Sequence, residues 1–120
     1  MTGDLWIENI ALIGTGILFM ILAMFYLKKT PQKINELYGY RTRRSRANQD
    51  IWEMANTYSS KSFFKLAVIV FIVGVVLCFF SFPLRVLIQM GFLLVGLGVS
   101  VWNTESYLNK YFDKNGNRKS

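Results

Sequence analysis

Side chains able to do chemistry are scarce in this sequence and crowd into one stretch. None of the 120 residues is His, so the group that most often serves as a general base or metal ligand near neutral pH is missing. The single Cys, Cys78, cannot form an intrachain disulfide. It lies in an apolar run and reads as a small hydrophobe. Zinc and iron–sulfur centres need ligand clusters that are absent here, and the carboxylates are scattered. No catalytic, metal or cofactor site is expected, and the chain reads as a non-enzyme.

The polar stretch runs from Gly39 to Ser59. Gly39 can adopt a positive φ or admit another backbone closely where the chain turns back. Arg41 is a forked, permanent cation suited to a phosphate headgroup or to carbonyls at a helix end. Thr42 can satisfy loop backbone groups. Arg43 and Arg44 read as members of a general basic cluster. Downstream, SRANQDIWEMANTYSSK reads as a helix that Ser45 or Asn48 can cap by accepting an otherwise unpaired N–H. At 100° per residue, Ala47, Ile51, Met54, Ala55 and Tyr58 share an apolar face, with Asp50, Glu53 and Thr57 opposite. Beside that face, Asn48, Trp52, Asn56 and Ser59 project within about 80° of one another. They form a flat polar strip that is either an interfacial anchor, a docking surface or a site built against the GYRTRR loop.

The elements that must position these groups are long and apolar. Ile10 to Leu27 carries no charge and, at 1.5 Å per residue, covers roughly 27 Å, close to the hydrocarbon thickness of a bilayer. Leu66 to Phe82 is a second run, extended upstream by Phe63 and Phe64 around a lysine that can snorkel, Lys65. Pro83-Leu84-Arg85 interrupts it. Val86 to Trp102 is a third, with Gln89 as its one strongly polar interior residue. These runs are apolar on every face, which a small soluble domain could not cover. The expected fold class is all-α: an integral membrane protein with three transmembrane helices, at about 7–27, 63–82 and 86–102. A cytoplasmic loop and amphipathic helix at 28–62 lie between the first two spans, and the tail is 103–120. The amphipathic helix can lie along the headgroups, pack under the bundle, or run on into the second span. Within the spans, Gln89 is suited to a hydrogen bond across helices, and Gly96-x-x-x-Ser100 to close helix contact.

Charge supplies an orientation. Asp4 and Glu8 precede the first run with no base before Lys28, so the first span reads as a retained helix and not a secretory signal. Segment 28–65 holds nine Lys and Arg against three acids, the turn at Pro83 holds Arg85 alone, and the tail is net positive. Positive segments stay cytoplasmic, which puts the N-terminus outside and the C-terminus inside a bacterial cell membrane. Anionic headgroups are the natural counter-charge, and no separate folded domain is left to bind nucleic acid. Trp6, Tyr26 and Trp102 fall near the expected interfaces. Glu8 and Asn9 read as a solvated helix start.

Gly39, Tyr40, Arg41, Thr42, Ser45, Asn48, Trp52, Ala55 and Asn56 form the spacing G-Y-R-T-x-x-S-x-x-N-x-x-x-W-x-x-A-N. With one span before it and two after, this resembles the SdpI/YfhL family of bacterial membrane proteins over roughly residues 10–105. The resemblance implies a membrane protein without established catalytic residues. One known member is an immunity protein that protects a cell from a secreted killing peptide and holds a repressor at the membrane. That member is longer, with additional spans before this unit. The implied function is binding of a toxin peptide or repressor protein, in immunity or signal relay, with the nine motif residues as the candidate site. The alternative is a small transporter or channel subunit working as a homo-oligomer, with Gln89 and the glycines facing a shared lumen. A proton-coupled pump is disfavoured, because the spans lack a deep carboxylate.

Overall fold

The structure, a computed structural model, describes residues 2–81 and 83–119, with side chains from Trp6 onward. Phe82, the expected end of the second span, and Ser120 lie outside the described residues, as does the side chain of Asp4. Three helices make up the fold: α1 (Thr2–Lys28), α2 (Gln49–Cys78) and α3 (Arg85–Tyr111). Each is long and apolar enough to cross a membrane. They form a rod with extents of 59 × 23 × 18 Å.

Two boundaries differ from the sequence reading. The separate amphipathic helix is not an element of its own, because residues 49–62 are the first turns of α2. Nothing from Gln49 to Val73 is Gly or Pro, so no residue breaks the helical ladder. Its 30 residues reach roughly 45 Å, longer than the hydrocarbon layer, and the surplus is the motif-bearing end. Likewise α3 continues past Trp102 to Tyr111, so the first half of the expected tail is helical. Of the two candidate caps, Ser45 and Asn48, the start of α2 uses the second. Asn48 is extended, with φ −157° and ψ 170°, and its Oδ1 accepts the Ile51 N–H at 2.8 Å. Asn48 therefore caps the helix, while Ser45 serves the loop.

α2 is the central helix and packs along both neighbours, whereas α1 and α3 touch each other only briefly. Toward the end of the rod at the Pro83 turn the three are tied by Gln89, fully buried one turn into α3. Its Nε2 donates to Leu12 O of α1 at 2.9 Å and to Val70 O of α2 at 3.3 Å. Gln89 is therefore a cross-helix bond within one chain, as its position suggested. The approach depends on Gly74, where an added Cβ would lie 2.6 Å from Gln89 Nε2 and 2.7 Å from Leu12 O. Ser62 and Ser100 share a hydrogen bond of 2.8 Å, and Gly96 lies against Leu66, so the small-residue pair on α3 does face α2. Gly14, Gly91 and Gly98 meet nothing within 4 Å. Trp6 and Trp102 are exposed, as lipid-facing or interfacial rings would be.

The turn between α2 and α3 holds a correction. Arg85 is a buried residue, with 1% of its surface exposed. Its Nη1 donates to Leu77 O and Phe80 O, both at 3.0 Å, and to Asn9 Oδ1 at 2.8 Å. Its Nη2 lies 3.5 Å from Glu8 Oε2. A cation at the end of α2 satisfies carbonyls that the helix leaves unpaired and opposes the negative end of the helix dipole. Glu8 and Asn9 are therefore partners of Arg85 and not merely a solvated helix start. The preceding Leu84 sits at φ 67° and ψ 23°, a left-handed conformation unusual for a non-glycine residue.

Close approach and open space give opposite expectations for two glycines on facing helices. Gly74→Ala should lower the thermal midpoint in detergent, because Leu12 O is backbone and cannot rotate aside; overpacking of this kind costs about 1–3 kcal/mol. Gly14→Ala should leave the midpoint unchanged or raise it. Equal responses in a thermal melt would contradict this packing.

Candidate functional site

The motif residues gather at the end of the rod where the 29–48 loop, the start of α2 and the end of α3 meet. Asn56, fully buried on α2, is the junction. Its Oδ1 accepts from Tyr26 Oη at 2.7 Å and from Tyr40 N at 2.6 Å. Its Nδ2 donates to Tyr40 O at 3.3 Å and to Trp52 O at 3.1 Å. The carboxamide thus has two donors and two acceptances engaged, close to all an amide can make. Tyr26 Oη also accepts from Tyr40 N at 3.2 Å, so one hydroxyl of α1 is bound into the same knot.

Gly39 and Trp52 bring the loop down onto this junction. Gly39 has φ 110°, and a Cβ there would lie 2.6 Å from Asn56 Oδ1 and 2.7 Å from Pro31 Cγ. Both the backbone conformation and the space therefore call for glycine. Trp52 is fully buried and its indole Nε1 donates to Pro31 O at 3.0 Å. Below the turn, Ser45 is also buried. Its hydroxyl donates toward Tyr40 O at 2.8 Å and accepts from Thr42 N at 2.8 Å, while Ser45 N donates to Thr42 Oγ1 at 3.1 Å. Ala55, with no surface exposed, packs in one cluster with Tyr40, Ile51, Leu108 and Phe112.

Tyr40 reaches α3, where its hydroxyl donates to Glu105 Oε2 at 2.5 Å. Burial pushes the phenol well above its ordinary pKa range, and the Glu105 carboxylate pushes it further. Tyr40 is therefore a neutral donor at any physiological pH. The tail then folds back. Phe112 and Arg118 form an antiparallel bridge, and Asn48 Nδ2 donates to Gly116 O at 2.8 Å. Arg118 meets both oxygens of Asp50 at 2.7 Å.

Eight of the nine candidate residues thus belong to one packed unit, and the polar strip is used inside the chain. Asn48, Trp52 and Asn56 grip the loop and the tail, and Ser59 is buried beside them. The strip is not an exposed docking surface. Arg41 is the outlier. Its Nε donates to Asn35 O at 2.9 Å and its Nη2 lies 3.4 Å from the exposed Glu36, so it holds a loop carbonyl and not a helix end. Arg44 makes the forked contact expected of Arg41. One Nη bonds to Asn109 and the other donates to Phe112 O at 3.0 Å, at the C-terminus of α3. Tyr26, Pro31, Arg44 and Glu105 are the partners that sequence reasoning missed. Tyr26 was visible only as an interfacial aromatic, and nothing in the spacing pointed to the others.

Above the knot lies a cavity of about 430 Å³. Phe25 and Tyr26 of α1, Gly39 and Tyr40 of the loop, Phe63 of α2 and Val101 of α3 line it. Its walls are mostly apolar, with the Tyr26, Ser59 and Ser100 hydroxyls as polar points.

Asn56→Ala should be the most damaging change at this end. It strips partners from buried Tyr40 and Tyr26 groups and costs about 3 kcal/mol. Trp52→Phe keeps the packing but loses the bond to Pro31 and should cost about 1 kcal/mol. Arg41→Lys should cost less than Arg44→Lys, because only Arg44 uses its fork on a helix end. Thermal melts of the four variants in detergent check this order, and a stability loss in Arg41→Lys exceeding that in Arg44→Lys would contradict it.

The SdpI/YfhL protein family matches this chain over residues 32–103. That segment begins in the loop and contains all nine motif residues, while their partners Tyr26, Pro31 and Glu105 lie just outside it. A relative from Bacillus subtilis (strain 168), named Uncharacterized protein YfhL, is 50% identical over 50 residues, which are 41% of this chain and 44% of that protein. The chain thus spans less than half the length of the curated relative it matches. No solved structure matches it. The family match covers more than half of the 120 residues and all nine motif positions, so the chain belongs to the SdpI/YfhL protein family.

Proposed function

We propose that this chain is a non-enzymatic protein of the bacterial cell membrane that binds an apolar segment of a peptide or protein partner, in toxin immunity or signal relay. The observation that carries this reading is the 430 Å³ cavity walled by Gly39 and Tyr40 of the family motif. Rigid, mostly apolar concavities with a few fixed polar groups are the usual shape of a binding site, and here a hydrogen-bonded knot fixes one wall. The partner inserts an aliphatic or aromatic side chain beside the Tyr26 and Ser59 hydroxyls. The transporter alternative loses its main feature, since Gln89 is spent on Leu12 and Val70 within the chain and does not line a lumen.

The same proposal places the basic loop and the tail in the cytoplasm and the Pro83 turn outside. Its support is the charge pattern together with the fact that loop and tail meet at one end, through Arg44, Asn48 and Gly116.

Expression in a sensitive bacterium should raise survival against a secreted apolar peptide. Val101→Trp, which fills the cavity, should weaken that protection by about tenfold or more, the response to ~1.4 kcal/mol of lost binding. The amount of protein in the membrane should stay unchanged. Full protection by Val101→Trp would remove the cavity from the mechanism. For orientation, single cysteines at Ser81 and Arg46 in a Cys78→Ser background should react differently with an impermeant thiol reagent. Ser81→Cys should label in intact cells and Arg46→Cys only after permeabilisation; the reverse pattern would invert the topology.

A further inference from the structure

A second, larger concavity lies at the same end of the rod. It encloses about 720 Å³ between the loop, the start of α2 and the folded-back tail. Arg43 and Arg44 line one wall and Lys114 another, with Glu105 and Asp113 between them. The two carboxylates are already engaged. Glu105 Oε2 accepts from Tyr40 Oη, and Asp113 Oδ1 accepts the N–H groups of Asn115 at 2.9 Å and Asn117 at 3.0 Å. Arg44 is also committed, to Asn109 and Phe112 O. Arg43 and Lys114 are different: both are exposed, and neither has a partner among the described residues.

The placing of Lys114 is built in. It sits on a turn closed by Gly116 N donating to Asp113 O at 3.2 Å and anchored by Asn48 to Gly116 O. The Arg118 contacts to Asp50 and to the Phe112 ring, 5.2 Å from its centroid, hold the far side of that turn. Arg43 sits on the opposite wall, between Thr42, whose N–H and hydroxyl are tied to Ser45, and the committed Arg44. Two cations without an ion-pair partner among the described residues thus face one concavity, whose lining carries three cations, Arg43, Arg44 and Lys114, against the two carboxylates of Glu105 and Asp113. Basic pockets of helical membrane proteins take up phosphate groups, and an arginine fork matches two phosphate oxygens.

We propose that this cleft binds a phosphate group, with Arg43 and Lys114 as its two cationic contacts. Either an anionic lipid headgroup or a soluble phosphate supplies that chemistry. The site is separate from the apolar cavity, since the two share no lining residue, and its test does not depend on the proposed partner.

The probes are inorganic phosphate added to the full chain in neutral detergent, against chloride at equal ionic strength, and nanodiscs of phosphatidylcholine with or without phosphatidylglycerol. The thermal midpoint of the unaltered chain should rise by about 4 °C in at least one arm. The double variant Arg43→Gln with Lys114→Gln, which breaks no internal bond, should melt normally without the probe and lose the rise. A response to phosphate assigns the source as soluble; a response to phosphatidylglycerol alone assigns it as a headgroup. No rise in either arm, or the same rise in the double variant, overturns the proposal.

Discussion

One buried carboxamide holds this protein's polar end together. Asn56 has no exposed surface, so each of its polar atoms must find a partner inside the protein or bear the cost of desolvation. Its partners come from three separate places in the chain: Tyr26 on α1, Tyr40 on the loop, and Trp52 on its own helix. The loop backbone at Tyr40 is thereby given both its hydrogen bonds by one side chain, as a strand neighbour would give them. Gly39 is the consequence, because the loop must come within contact of Asn56 Oδ1 and Pro31 to make those bonds. Ser45 then takes the second lone pair of Tyr40 O.

The opposite end of the rod is held by a different polar device. Lipid offers no water to unpaired groups, so helices there pack through small residues and a few internal hydrogen bonds. Arg85 meets the end of α2 and reaches Asn9 and Glu8 of α1, while Gln89, one turn deeper, ties α1 and α2 to α3. Between these anchors and the knot, α2 contacts both neighbours through apolar surface and through Gly16, Gly74 and Gly96. Since α1 and α3 scarcely meet, the space between them over α2 stays open near the knot, and that opening is the apolar cavity.

Tyr40 links the knot to both concavities. Its backbone is fixed by Asn56, its ring packs with Ile51, Ala55 and Leu108, and its hydroxyl is tied to Glu105. It lines the apolar cavity, while its partner Glu105 lines the basic cleft. The Tyr40–Glu105 pair therefore borders both concavities, so a disturbance of either space reaches the same pair.

What the sequence by itself determined is what the surroundings demand of each segment alone. Three charge-free runs require three lipid-spanning helices because lipid cannot solvate an exposed backbone. The residue types also marked Ser45 and Asn48 as candidate caps and Gln89 as suited to a bond across helices, and the fold chose Asn48 for the cap and Leu12 O and Val70 O for Gln89. The spacing from Gly39 to Asn56 marked out the residues of the knot, but as a strip that could equally face outward. Tertiary structure decided the rest, because hydrogen-bond partners are chosen by distance in space and by the rotation of each helix. Tyr26 and Asn56 are 30 residues apart and Tyr40 and Glu105 are 65, and no local period relates them. The same reason transferred the helix-end contact from Arg41 to Arg44 and drew Glu8 and Asn9 to Arg85. In each case the residue type was legible, and only the fold placed its partner beside it.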